Sequence, residues 1–268
     1  MTCLSEMKIS APLLGTLLSL ATATSVFAAD TSKVCQGHSP GFRAAVIELY
    51  TSEGCSSCPP ADDWLRRLPR DDLESGRVVP LALHVDYWNH LGWRDPFSQP
   101  QFTTRQRTLA ARNHSRTIYT PGLFLNGKEW RGWHRDHLAA RTAGLATERP
   151  AANIQLSASA RDNSMQLRGA VSWNRDFPQH MALYIAVLES DLVTRIAAGE
   201  NAGRTLHHGH VVRYLSDAIV LTPQVAKFEH RLALPTAWKR TSLGVAAFVE
   251  DSASGEILQA VSLPRCPG

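Results

Sequence analysis

The stretch Ala44-Ala45-Val46-Ile47-Glu48-Leu49-Tyr50-Thr51-Ser52-Glu53-Gly54-Cys55-Ser56-Ser57-Cys58-Pro59-Pro60-Ala61-Asp62 decides how this chain is read. From Arg43 to Tyr50 it is apolar except for Glu48, the pattern of a strand buried on both faces. A Cys-x-x-Cys pair follows after a short loop. Ala61, Trp64, Leu65 and Leu68 then recur at helical spacing, which predicts a helix over Cys55 to Leu68. At a helix start, unpaired N–H groups and the helix dipole favour a thiolate. A second sulfur one turn on can attack a mixed disulfide and release its substrate. Cys55 is therefore the expected attacking, more accessible sulfur, and Cys58 the shielded, resolving one. An inert disulfide, or half of a zinc or copper site, are the other meanings such a pair can carry.

Strand and helix signals alternate outward from this stretch. Val78 to Val85 reads as a second buried strand. Ser98 to about His114 reads as a helix, with Ser98 as its cap and a basic face of Arg105, Arg107 and Arg112. Gly122 to Asn126 reads as a strand, and Asn126-Gly127 as a type I′ hairpin turn into a strand over Glu129 to Trp133. Asp136 to about Leu145 reads as a last helix. This alternation implies a layered α/β domain. Thr120-Pro121 precedes the hairpin strand. A cis bond there would bend the chain at a residue that offers no N–H, and adjacent exposed backbone could then pair with an extended substrate; an ordinary trans turn is the alternative.

Beyond Glu148-Arg149-Pro150 the chain turns β-rich. Strands are expected at Ile154 to Ala160, Gln166 to Trp173, Ala182 to Leu188, Val211 to Leu215, Phe228 to Leu234, Leu243 to Val249 and Ile257 to Leu263. Short strands separated by turn signals read as a sandwich, with a boundary near residue 149.

The 268 residues are 44% hydrophobic and 19% charged, which suits a packed core and excludes a disordered chain. The net charge of +4 is scattered, so no nucleic-acid partner is expected. Met7-Lys8, the apolar run Ile9 to Leu20 and the small residues ending Val26-Phe27-Ala28 read as an export signal over residues 1–28, cleaved after Ala28. No membrane span is expected after cleavage, and the location would be periplasmic or secreted. Loss of Cys3 would leave Cys35, Cys55, Cys58 and Cys266 in an oxidising compartment. Chain termini often lie close together. A structural Cys35–Cys266 disulfide is therefore expected, two free thiols being the alternative.

Several segments are together more specific than the Cys pair alone. They are Thr51 to Asp62, Val85-Asp86-Tyr87-Trp88, Gly92-Trp93-Arg94-Asp95-Pro96-Phe97, Tyr119-Thr120-Pro121, Gly199-Glu200-Asn201-Ala202-Gly203-Arg204 and Val211-Val212-Arg213. With them the chain resembles a secreted thioredoxin-like family, domain of unknown function 1223. The resemblance implies export and a thioredoxin-like fold, and with the strand pattern above the expectation is an α/β thioredoxin-like domain followed by an all-β sandwich domain. The first would cover residues 29–149 with an insertion at about 84–116, the second residues 150–268. It implies no established activity. The chain departs from ordinary thioredoxins in carrying Leu49 where they bury an aspartate. Pro59-Pro60 is a second departure: either the first helical turn is distorted, or the helix starts near Pro59. In the latter case Asp62 and Asp63 complement its dipole and thiolate support at Cys55 weakens.

The expected insertion holds Tyr87, Trp88, Trp93, Phe97 and Phe102, which either line a substrate groove or pack the segment down. His207-His208-Gly209-His210 reads as a solvated loop in preference to a metal site. His84 near Cys55 would offer a Cys–Cys–His copper site. Neither a phosphate-binding glycine loop nor a Gly-x-Ser-x-Gly motif occurs, and no cofactor or resident metal is assigned. The sequence thus favours an exported thiol–disulfide oxidoreductase. It would act on protein or small thiols through Cys55 and Cys58, with Thr120 and Pro121 positioning the substrate and the sandwich as a docking module. A periplasmic copper chaperone, or a non-catalytic binding protein, are the alternatives.

Overall fold

The computed structural model describes Thr2 and residues 34–135, 137–161, 163–174, 179–223 and 227–266. Ser32–Gly268 forms one compact unit. Apart from Thr2, the expected export signal lies outside the described residues.

The elements run β1 (Val34–His38), β2 (Ala45–Thr51), α1 (Pro59–Arg66), α2 (Arg70–Glu74), β3 (Val78–His84), α3 (Pro100–Arg112), β4 (Gly122–Leu125), β5 (Lys128–Glu129) and α4 (Leu138–Thr142). They continue with β6 (Ala152–Arg161), β7 (Ser164–Trp173), β8 (Met181–Glu189), β9 (Leu192–Arg195), β10 (Thr205–His208), β11 (Val211–Leu215), β12 (Ile219–Val220), β13 (Lys227–Ala233), β14 (Leu243–Asp251) and β15 (Ile257–Leu263).

Among the described residues, the large sheet runs β15-β14-β8-β11-β3-β2-β4-β5, with β12 beside β8. Its pairings are antiparallel except where β3 lies parallel to β2 and to β11. A second, antiparallel layer runs β1-β6-β7-β13. Ile154, Leu167, Leu183, Val245 and Val261 share the core between this layer and β8, β14 and β15. β2 shows why the sheet is buried on both sides. Ala45, Ile47 and Leu49 meet α1 through Ala61 and Leu65, while Val46 and Tyr50 meet α3 through Phe102 and Leu109.

The expected α/β thioredoxin-like domain followed by an all-β sandwich is not the architecture. Of the described residues, 41% lie in strands and only 16% in helices. Val211 of β11 pairs with Ala82 of β3, which makes strands from both halves one sheet. β1, from the N-terminal side, joins the second layer by pairing with β6. One core cluster accordingly mixes Val79 and Leu83 with Ala186, Val212 and Phe248. Hydrophobic periodicity reports which faces of a strand are covered, but not which strand lies at its edge.

Local expectations shift for identifiable reasons. Helix α3 starts after Gln99, with Gln99 and not Ser98 as its cap, because the Ser98 hydroxyl donates to the Asp95 carbonyl (2.8 Å). Arg105 and Arg112 do not form a solvated basic face. Arg105 donates to both Glu48 oxygens (2.7 and 3.0 Å) and to Glu250 (2.7 Å), and Arg112 donates to Glu250 (2.8 Å). The strand expected over Glu129 to Trp133 ends at Glu129, where Trp130 turns into the core edge-on to Trp64. The last helix of this half is Leu138–Thr142, and Asp136 lies outside the described residues. Asn126 (φ 46°) and Gly127 (φ 79°) form the hairpin turn in the left-handed region that this dipeptide tolerates.

Candidate functional site

β2 delivers the loop Ser52 to Cys58 into the centre of the molecule. Helix α1 begins at Pro59, with Cys58 in the cap position. The first helical N–H groups lack intrahelical acceptors, so Pro59 and Pro60 fit the first turn without losing a bond. Cys55 therefore sits ahead of the helix rather than on it, held in turns by Cys55 N–H to the Ser52 carbonyl and Cys58 N–H to the Cys55 carbonyl.

Cys55 and Cys58 are joined as a disulfide, and both are 0% exposed. Cys55 was expected to be the accessible sulfur. Instead Trp88 covers the loop, its Cβ being 3.1 Å from where a side chain on Gly54 would begin. Ser56 and Ser57 take the exposed positions. Cys55 Sγ lies 3.8 Å from the Thr120 carbonyl oxygen and 3.3 Å from Ser57 Oγ. The Thr120–Pro121 bond is cis, and Trp88 Nε1 donates to Thr120 Oγ1 (2.8 Å). Cys35 and Cys266 are also joined, tying β1 to the residues after β15. Two disulfides are the pattern of an extracytoplasmic protein. No helix among the described residues is long and apolar enough to cross a membrane.

The residues that hold the Cys55 loop come from distant segments. Asn201, fully buried, donates its amide to the Glu53 carbonyl (2.8 Å) and to the Cys55 carbonyl (2.9 Å). Glu200 accepts from the Ser56 N–H (3.0 Å). Glu53 is fully buried: its N–H donates to Asp95 (2.8 Å), and its carboxylate accepts from Trp93 Nε1 (2.8 Å) and meets His208 Nε2 (3.0 Å). Asp95 also meets His84 Nδ1 (2.7 Å) and accepts from the Phe97 N–H (2.8 Å). Asp62 accepts from the Thr51 hydroxyl (3.0 Å).

Three buried carboxylates and two buried imidazoles thus lie behind the disulfide. Burial raises the Asp62 carboxyl to about 6, despite His84, His208 and the Thr51 bond acting the other way. Burial would also raise Asp95, but His84 and the two N–H donors outweigh it and hold this carboxyl low. Burial would lower His84, but the charge and hydrogen bond of Asp95, with the charges of Asp62 and Glu53, together outweigh it and raise the imidazole. Neighbouring His210 is pushed down to about 4 by burial.

This corrects two expectations. His208 is buried beside Glu53, not solvated; only His207 of that run is exposed. His84 joins Asp62 and His208 rather than the sulfurs, and no metal-capable group among the described residues includes a cysteine. The aromatics of the 84–116 segment pack it down. Phe102 and Phe97 are buried, Trp93 and Trp88 are bonded as above, and the Tyr87 hydroxyl donates to Gln106 (3.3 Å). Sequence reasoning missed Glu53, Asp95, Asn201 and His208 as members of this centre. The resemblance segments Thr51 to Asp62, Gly92 to Phe97 and Gly199 to Arg204 contain three of them, and these segments meet in space.

The same architecture occurs in known structures. Protein AGR_C_4864 from Agrobacterium tumefaciens is 25% identical with a TM-score of 0.56; the match covers 82% of this chain and 93% of that one. HBP35 of Porphyromonas gingivalis is similar in fold, with a TM-score of 0.59 at 16% identity over 85% of this chain and 76% of that one. No curated protein is a match to the chain. The segments that build the buried centre fall within residues 46–250, the span that matches the family described as protein of unknown function (DUF1223), and the chain belongs to that family.

Proposed function

We propose that this is an exported protein whose Cys55–Cys58 pair exchanges disulfides with protein or small-molecule thiols. The observation that carries this reading is the placement of Cys55 Sγ 3.8 Å from the Thr120 carbonyl, at the end of the exposed segment Arg116-Thr117-Ile118. An extended substrate laid along that segment would bring its own sulfur to Cys55. A substrate thiolate attacks Cys55 Sγ, forms a mixed disulfide and releases Cys58 as a thiolate. A second substrate thiolate then attacks the substrate sulfur of the mixed disulfide, leaving the substrate oxidised and both cysteines reduced. The reverse sequence reduces a substrate disulfide. In either direction the Ser52 to Cys58 loop must shift, because both sulfurs are covered. Export is supported by the Cys35–Cys266 disulfide and the signal-like N-terminal sequence.

The burial of both sulfurs favours a second reading, a binding protein in which Cys55–Cys58 is purely structural. Equilibration of the folded protein with glutathione buffers separates them. The redox reading expects reversible reduction of Cys55–Cys58 with Cys35–Cys266 intact, and expects Cys58→Ser to accumulate mixed disulfides through Cys55. A pair that is reduced only on unfolding would establish the structural reading.

A further inference from the structure

We propose that Asp62, His84 and His208 form a binding site for a divalent first-row transition metal, with Zn²⁺ as its best-suited ion. The three come from α1, the end of β3 and the end of β10. One ligand atom from each lies within 4.8 Å of the others, and all three side chains are buried. The site rests on this geometry and not on redox activity of the cysteines.

The hydrogen bonds point to a ligand. His84 Nε2 and His208 Nδ1 are the only buried side-chain polar atoms among the described residues without a partner. Leaving such a group unsatisfied in the interior is unfavourable. A metal ion that accepts the lone pairs of both nitrogens removes that cost. The opposite ring nitrogens are already taken, His84 Nδ1 by Asp95 at 2.7 Å and His208 Nε2 by Glu53 at 3.0 Å. Each ring therefore donates its N–H to a carboxylate and keeps its free lone pair on the unpartnered nitrogen. Carboxylate–histidine–metal relays use this arrangement, in which the outer acid fixes the tautomer and raises the basicity of the ligand nitrogen.

Charge argues the same way. Glu53, Asp62 and Asp95 are buried together, so with both imidazoles in the neutral form that binds metal the cluster itself carries three carboxylates and no cation. A dication offsets two of them. Two nitrogens and one carboxylate exclude calcium and magnesium, which prefer all-oxygen shells, and the lack of sulfur disfavours Cu(I). Three protein ligands leave a coordination position free. A cavity of about 170 Å³ lined by Pro59, Asp63, Arg204 and Leu206 reaches Asp62 and His208, giving access and room for a water or a substrate atom.

The test uses the oxidised full chain, stripped with a chelator and titrated with Zn²⁺ by calorimetry in competition with a chelator of known affinity. One Zn²⁺ per chain is expected. His84→Gln and His208→Gln should each weaken binding more than 100-fold, and Asp95→Asn and Glu53→Gln by about 10–100-fold. Circular dichroism checks that each variant folds. Should the histidine variants unfold, Asp62→Asn keeps the shape and the Thr51 bond and should still lose binding. Co²⁺ in the wild-type protein should give the visible ligand-field bands of a four- or five-coordinate ion. The Cys55→Ser/Cys58→Ser variant should bind Zn²⁺ as the parent does. Absence of stoichiometric Zn²⁺ in folded protein, unchanged affinity in folded Asp62→Asn, or loss of binding with the two cysteines would each overturn the site.

Discussion

His208 Nε2 lies 3.0 Å from Glu53 Oε1, although 155 residues separate them along the chain. This contact joins the end of β10 to the loop that carries the disulfide. With the two Asn201 bonds it makes the geometry of Cys55 depend on the C-terminal half of the sequence.

Asn201→Ala removes both amide bonds to the loop carbonyls. Two such bonds contribute about 1–3 kcal/mol in total, so loop opening should become about 5- to 150-fold easier. Dithiothreitol should reduce Cys55–Cys58 correspondingly faster in the folded variant, followed by quench and mass spectrometry. An unchanged reduction rate would show that Asn201 does not hold the loop closed.

Arg105 is the hub of a buried ion network, 9% exposed between the fully buried Glu48 and Glu250. Arg105→Met leaves two buried carboxylates without their shared cation, and removing one partner of a buried pair costs about 3–5 kcal/mol. Urea unfolding should show a midpoint lowered to match. A loss below about 1 kcal/mol would mean that Arg112 suffices for Glu250 and that water or relaxation compensates Glu48.

Gly127 sits at φ 79°, and a methyl group on it would overlap the Gly255 carbonyl of the turn between β14 and β15. Gly127→Ala should cost about 1–3 kcal/mol from the backbone conformation alone, with the overlap adding to it. Gly144→Ala meets nothing within 4 Å and has no positive φ, so it should be near neutral in the same thermal melts. Equal melting shifts for the two variants would reject the close packing of these turns.

Tyr119 donates its hydroxyl to Glu129 (2.8 Å), and burial together with that acceptor raises its phenol to about 12. The neutral phenol is favoured in the folded state. Its contribution is complete below the ordinary value near 10 and is lost as pH rises from 10 to about 12. Stability measured across this range should fall more steeply for the parent than for Tyr119→Phe. Parallel pH profiles would remove the assigned role of the Glu129 bond.

Much of the local structure is legible in the residues. Val211 to Leu215 and Ile257 to Leu263 are strands with the ends their apolar runs suggest, and Asn126-Gly127 turns as its chemistry requires. The pairing of β3 with β11 is not legible, because the apolar content of Val78 to His84 states that both faces are covered and is silent on the neighbour. The same silence hides the meaning of Arg105. At helical spacing it looks like part of a solvated face, and only the two acids arriving from β2 and β14 turn it inward.

The sequence by itself determined most of the long strands, the cysteine spacing and the turn at Asn126-Gly127, and it narrowed the start of α1 to two choices, because these depend on side chains and backbone groups a few residues apart. Tertiary structure alone decided that one sheet unites the two halves and that both sulfurs are covered. It alone set Glu53, Asp62, His84, Asp95 and His208 into one buried centre. Those outcomes rest on contacts between residues up to 155 positions apart, as for His208 and Glu53, whose geometry exists only once the strands have paired.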